Sequence, residues 1–248
     1  MKIVPLMLCA FLFVCMGRSF AAEQDSRCYE LRIYYAEPGK LDELKSRFRD
    51  HTCKLFEKHG LVNVGYWVPL DNPDNKLIYL ISSPSREAHG TAWQAFMADP
   101  EWKKVAQETE AKGKLVAKVE SIFLKATDFS QAIAPSGNET PRCFELRTYT
   151  AASGKMDALL ARFRDHTAAL FSKHGMTQVG YWTRTDEGTS QLIYILAHSS
   201  KDAAVESFKN FRADPAWIEA KKASETNGSL TEKVESVFMA PLDFSAIK

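Results

Sequence analysis

Two histidines, His51 and His166, have the spacing of groups held against something other than water. Leu44, Phe48, His51 and Leu55 recur at i, i+4, i+7 and i+11, so on an α-helix they form one stripe, and Leu159, Phe163, His166 and Leu170 repeat it. That stripe faces the sheet, and an imidazole there titrates near neutral pH, which makes the pair the side chains to weigh for function. The plainer alternative is a structural histidine bonded to Asp50, Thr52 or a backbone carbonyl. No second ligand follows at i+3 or i+4, which argues against a zinc centre.

Other groups invite the same weighing. Glu30, Arg32 and Tyr34 share one face of an alternating segment, and Glu145, Arg147 and Tyr149 copy them. Such charges can build a site, but Glu and Arg two apart on one strand face more naturally form buried ion pairs that fix register. Tyr66, Trp67 and Tyr79, matched by Tyr181, Trp182 and Tyr194, are candidates to line an aromatic pocket, although strand aromatics more often fill a core. His59 and His174 directly precede a glycine at a helix end, where a cation interacts favourably with the last carbonyls. His89 and His198 have no counterpart in the other copy and read as surface or loop residues. There is no Gly-rich phosphate loop, no CxxC, no HExxH and no GxSxG.

The elements that must position these residues come as two copies. Aligning Cys28 to Ser130 with Cys143 to Ser245 needs no gap, and roughly 47 of the 103 positions are identical, which marks a tandem repeat. Residues 28–35 alternate as a strand with two chemically distinct faces; 40–59 carry helical spacing and end at Gly60; 61–69 and 76–82 are strands joined by a hairpin loop. Residues 85–111 are helical with a break at Asp99-Pro100, and 118–126 form a last strand. The order β-α-β-β-α-β is the ferredoxin-like arrangement, an α+β fold whose sheet carries helices on one face. Two such sheets packed face to face would bury Glu30, Arg32 and Tyr34 against Glu145, Arg147 and Tyr149 at the seam. The repeats are expected at 27–130 and 142–245, with 131–141 as a linker containing Pro135, Ser136, Gly137 and Pro141.

Thirty-two Lys+Arg balance 31 Asp+Glu, so no broad field exists to hold nucleic acid or an anionic membrane. Residues 1–21 differ from the rest: Lys2, an apolar run from Ile3 to Met16, then Ser19-Phe20-Ala21, the pattern of a secretory signal peptide cleaved after Ala21. The run is too short for a spanning helix, and no membrane span is expected after cleavage. The mature chain is expected in a periplasm or outside the cell. Cys9 and Cys15 leave with the leader; Cys28, Cys53 and Cys143 remain, either as buried thiols or with Cys28 bridged to Cys143.

CYELRxY against CFELRxY, RFRDHT at 47–52 and 162–167, GYW at 65–67 and 180–182, and a DPxW segment in each half together resemble the NIPSNAP family. The resemblance covers nearly all of 27–245. It implies two NIPSNAP-type domains paired as an internal dimeric α+β barrel, a group that includes cofactor-free monooxygenases and haem-degrading enzymes. In those relatives the ligand cleft lies between helices and sheet, so the resemblance implies a proton-transfer group or an axial haem ligand at His51 and His166. Two functions follow as expectations: a small hydrophobic ligand held without catalysis, or a structural and assembly role that leaves room for homo-oligomers; or a small-molecule enzyme, oxygenase or haem-handling, acting through His51 and His166.

Overall fold

The computed structural model describes residues 25–133, 135, 142–186 and 188–248. The leader with its cleavage site, Cys9, Cys15 and most of the expected linker lie outside the described residues.

In the first repeat β1 (Cys28–Ala36) is followed by α1 (Leu41–Arg47), a π-helical stretch (Phe48–Thr52) and α2 (Cys53–Lys58), then β2 (Val62–Pro69), β3 (Lys76–Ser83), α3 (Arg86–Ala98), α4 (Pro100–Thr109) and β4 (Val116–Ala126). The second has β5 (Cys143–Ala151), α5 (Met156–Arg162), a π-helical stretch (Phe163–Thr167), α6 (Ala168–Lys173), β6 (Thr177–Arg184), β7 (Gln191–His198), α7 (Lys201–Ala213), α8 (Pro215–Ser224) and β8 (Thr231–Pro241). The break between α3 and α4 has a local cause. Asp99 accepts a hydrogen bond from the Glu101 N–H at 2.8 Å while Pro100 occupies the first helical position, and Asp214 with Pro215 repeats the device. His59 and His174 reach past their own helix ends to those same carboxylates, each at 2.7 Å.

The eight strands close into one antiparallel barrel in the order β1-β3-β2-β8-β5-β7-β6-β4. Each repeat contributes a four-stranded sheet, and its two edges are taken by the other repeat, β2 with β8 and β4 with β6. The chain beyond each last strand then crosses onto the opposite half. Thr127 donates to the Tyr181 carbonyl at 3.0 Å, Ser130 Oγ accepts from the Tyr181 N–H, and Asp128 takes a two-pronged bond from Arg164. Leu242, Ser245 and Asp243 do the same to Tyr66 and Arg49. The architecture is therefore two ferredoxin-like domains joined sheet to sheet as an internal dimeric α+β barrel.

Three cores result. One fills the barrel with residues of both repeats, among them Tyr29, Leu31, Trp67, Leu80, Phe144, Leu146 and Trp182. The other two lie between a sheet and its own helices. This corrects the expected seam. Tyr29, Leu31 and Ile33 point into the barrel, while Glu30, Arg32 and Tyr34 face the helices: Glu30 contacts His89, Arg32 lies over Trp93, and Tyr34 packs edge-on to Phe48. Glu145, Arg147 and Tyr149 likewise face away from the seam, with Arg147 over Phe208 and Tyr149 edge-on to Phe163. Both faces of each sheet are covered, so alternation alone did not say which face met the other repeat. The apolar face is the one that does, because a seam without polar partners cannot satisfy a carboxylate, whereas a helix can.

Among the described residues no helix is long and apolar enough to cross a membrane. Cys28, Cys53 and Cys143 are free thiols, and burial pushes Cys53 up to about 11.

The barrel seam depends on two glycines. A Cβ on Gly65 would lie 2.2 Å from the Trp67 ring, and one on Gly180 would lie 2.6 Å from the Trp182 ring, with both indoles fully buried. Gly65→Ala and Gly180→Ala should each cost about 1–3 kcal/mol, because the indole has no room to retreat. Urea unfolding followed by circular dichroism measures this; an unchanged midpoint would show that the seam is looser than its geometry.

Candidate functional site

On the helix side of β1, Glu30 is almost wholly buried and gathers partners from three elements. Arg32 Nη1 lies 2.5 Å from its Oε1, the Ser121 hydroxyl on β4 donates to the same oxygen, and His89 Nε2 on α3 stands 2.9 Å from Oε2. In the second repeat Arg147 and Ser236 each reach Glu145 Oε1 at 2.5 Å, and His198 Nε2 lies 3.4 Å from Oε2. Burial works to raise both carboxyls, but the histidine contact and the arginine charge outweigh it and hold each below its ordinary value. Arg147 continues outward, donating to Tyr194 at 2.9 Å and to Tyr149 at 3.1 Å. The network thus fixes the charge of the carboxylate and the orientation of two tyrosines.

The histidines reach these carboxylates by different routes. His89 belongs to α3, where the second repeat has Ala204; His198 belongs to β7, where the first has Ser83. Both are 3% exposed, which overturns the expectation of surface or loop residues. The repeat alignment hides them, since it pairs each with a residue that cannot do its work. The available signal was that each copy holds one unmatched histidine close to the end of its third strand.

His51 and His166 go the other way and are exposed. The reason is the π-helical stretch: the Cys53 and Ala168 N–H groups bond the Phe48 and Phe163 carbonyls five residues back. One residue beyond α-helical count rotates the stripe, so Thr52 and Thr167 turn inward and the histidines turn out. His51 borders an open groove of about 480 Å³ outside the helix layer, beside Asp50 and Glu108. Neither imidazole stands between helices and sheet, so neither is placed as a haem ligand there.

The aromatic candidates do not form one pocket. Trp67 and Trp182 fill the barrel, whereas Tyr66, Tyr79, Tyr181 and Tyr194 belong to the helix-side cores, and none is more than 1% exposed. Burial pushes Tyr79 and Tyr194 well above the usual phenol range.

An opening does exist between helices and sheet in the second repeat. A cavity of about 200 Å³ is walled by the rings of Tyr149, Phe163, Phe171, Phe211 and Trp217, with Arg162, Lys221, Glu225 and Thr231 among its polar groups. The π-helical stretch positions Phe163 and Thr167, and Asp214 caps the helix that carries Trp217. Arg162 is held by Glu225 at 2.8 Å and lies over Trp217 at 5.2 Å, while Val234, 45% exposed, forms part of the lip. No histidine lines this cavity, so no imidazole is offered there to a haem iron. Among the described residues no group of three or more His, Cys, Asp or Glu could hold a metal ion.

The crossed supply of histidine yields a test. His198→Ser installs the residue the first repeat has at that position, and it should cost about 1 kcal/mol by removing the imidazole 3.4 Å from Glu145 Oε2, a buried oxygen without a hydrogen-bond partner. Adding Ala204→His offers an imidazole from the helix, as His89 does, and should recover most of the loss in a denaturant titration. A neutral His198→Ser would show that the contact is dispensable.

The NIPSNAP family model matches residues 29–131 and again 144–246. Comparison with curated protein sequences returned no match. Among solved structures, one is a protein provisionally assigned as a monooxygenase from Lactobacillus acidophilus, 8% identical, with a TM-score of 0.58 over 88% of this chain and 94% of that one. Another is an anthrone oxidase-like protein, 13% identical, with a TM-score of 0.57 over 90% of this chain and 95% of that one. At those identities the likeness is one of fold alone. A NIPSNAP family protein of unknown function from Agrobacterium tumefaciens is 26% identical over 47% of this chain and 100% of that one, with a TM-score of 0.39. With both repeats matched across most of its length, the chain belongs to the NIPSNAP family.

Proposed function

We propose that this chain is an exported NIPSNAP-domain protein that holds a small hydrophobic, ring-bearing molecule in the helix–sheet cleft of its second repeat. The observation that carries the reading is the cavity of about 200 Å³ with five aromatic side chains in its walls. A cavity of about 150 Å³ is enough for a benzene-sized ligand, so this cleft has room for one ring. Specificity in such a site comes from a few placed polar groups, here Arg162, Glu225, Lys221 and Thr231. The enzyme alternative needs His51 and His166 to border an open cavity; His51 borders a groove outside the helix layer, and no histidine lines the aromatic cleft, which favours the binding reading. The monooxygenase and anthrone oxidase-like names belong to proteins that share the fold, and a fold hosts many chemistries.

Phenol serves as the probe. Saturation-transfer NMR should show phenol contacting the protein, and Val234→Trp at the exposed lip should abolish the effect while leaving the melting temperature unchanged. No transfer to the unaltered protein would sink the reading.

Export rests on the leader alone, Lys2 and an apolar run ending in Ser19-Phe20-Ala21. Expressed with its own leader in a secreting bacterial host, the mature protein should begin at Ala22 by N-terminal sequencing. A retained Met1 in the cytosolic fraction would overturn this.

A further inference from the structure

The two repeats offer an internal comparison, because most of the cleft residues of the second have identical counterparts in the first. Arg162, Phe163, Thr167, Phe171, Phe211, Trp217, Glu225 and Tyr149 match Arg47, Phe48, Thr52, Phe56, Phe96, Trp102, Glu110 and Tyr34. The departures cluster at the polar end. Lys221 stands where the first repeat has Ala106, Thr231 where it has Val116, and Ser229 where it has Lys114. Behind the wall, Phe208 replaces the larger Trp93, which in the first repeat packs 5.6 Å from both Phe56 and Phe96. Phe208 packs 5.7 Å from Phe171, so the aromatic wall is alike in the two repeats and the copies differ in the polar groups beside it.

Those polar groups are not all engaged. Glu225 is committed to Arg162 through Oε1 at 2.8 Å, whereas Lys221 only approaches Oε2 at 3.9 Å, the outer limit of an ion pair. The cleft thus sets two cations against one carboxylate. The Thr231 hydroxyl makes no hydrogen bond among the described residues; only its N–H and carbonyl are engaged, both with Ser229. The Tyr149 hydroxyl already accepts from Arg147. An ammonium held only by one long ion pair and an unengaged hydroxyl at one end of an aromatic-walled space are the complement of a carboxylate on a ring.

We infer that the ligand is a monocyclic aromatic carboxylate, its ring between Phe163, Phe211 and Trp217 and its acid group on Lys221 and Thr231. The inference rests on the cleft reading above and adds the charge and placement of the ligand's polar group. A surface-exposed ammonium contributes modestly, so the acid should bind about fivefold more tightly than its neutral amide at low ionic strength, with the preference shrinking in salt.

Calorimetric titration with benzoate and benzamide tests it. Benzoate should bind more tightly to the unaltered protein; Lys221→Ala should bring the two to parity, and Thr231→Val should weaken benzoate severalfold. Both replacements are the residues the first repeat carries, so the fold accommodates them, and matched melting temperatures check this. Equal binding of benzoate and benzamide overturns the inference and leaves the cleft reading standing, whereas binding of neither overturns both. Benzoate binding that survives in Val234→Trp places the site elsewhere and also overturns it.

Discussion

A four-stranded sheet ends in two open edges, and everything in this molecule follows from each repeat closing the edges of the other. β8 completes the pairing of β2, and β4 that of β6, so neither sheet keeps an unpaired row of backbone donors and acceptors. The strand contacts are short, three residue pairs at each junction, and the tails extend them. Asp128-Phe129-Ser130 and Asp243-Phe244-Ser245 each lay a ring into the opposite helix-side core and a carboxylate onto the opposite arginine. The helix-side space of one repeat is therefore finished by the other, and a separated half would lose its sheet edges together with part of its core wall.

Closure also dictates where polarity can go. The barrel interior has no helix to supply a donor, and it is filled by aliphatic and aromatic side chains. The ionisable residues of β1 and β5 consequently sit on the outer face, where α3 or β7 brings a histidine and β4 or β8 brings a serine. The second oxygen of each glutamate makes no hydrogen bond among the described residues, and what faces it is an imidazole, 2.9 Å from Glu30 and 3.4 Å from Glu145. An imidazole stands beside that oxygen in both repeats, brought from two different backbone positions. What is constrained here is the presence of an imaginary point in space, beside the second carboxylate oxygen, rather than an alignment column.

This shows what sequence patterns could carry and where they ran out. The repeat, the element order and the helix break at Asp-Pro were readable because they rest on local rules: period-two alternation, helical spacing, a capping carboxylate followed by proline. The ionic and aromatic residues were readable as buried, since Glu30, Arg32, Tyr66 and Trp67 recur unchanged. Their sidedness was not, because a sheet covered on both faces shows alternation without naming its neighbours. His51 failed for a narrower reason. Its stripe assumed an unbroken α-helix, and a single π-type turn at Phe48–Thr52 moves every later residue around the axis. His89 and His198 failed because equivalence in space was not equivalence in sequence.

Duplication inside one chain changes what each copy must conserve. In a symmetric homodimer any substitution in the helix-side cleft appears in both sites, so a void opened for a ligand also loosens the other half. Here the two clefts mutate separately. Lys221 and Thr231 border the cleft of one repeat where the other has Ala106 and Val116, and the shared barrel is untouched because its residues lie on the opposite sheet face. The strongly matched motifs, ELRxY and GYW among them, therefore mark what closure needs. Ligand recognition, if it resides in one repeat, must be sought in the positions where the copies disagree, which is the reverse of reading function from what recurs.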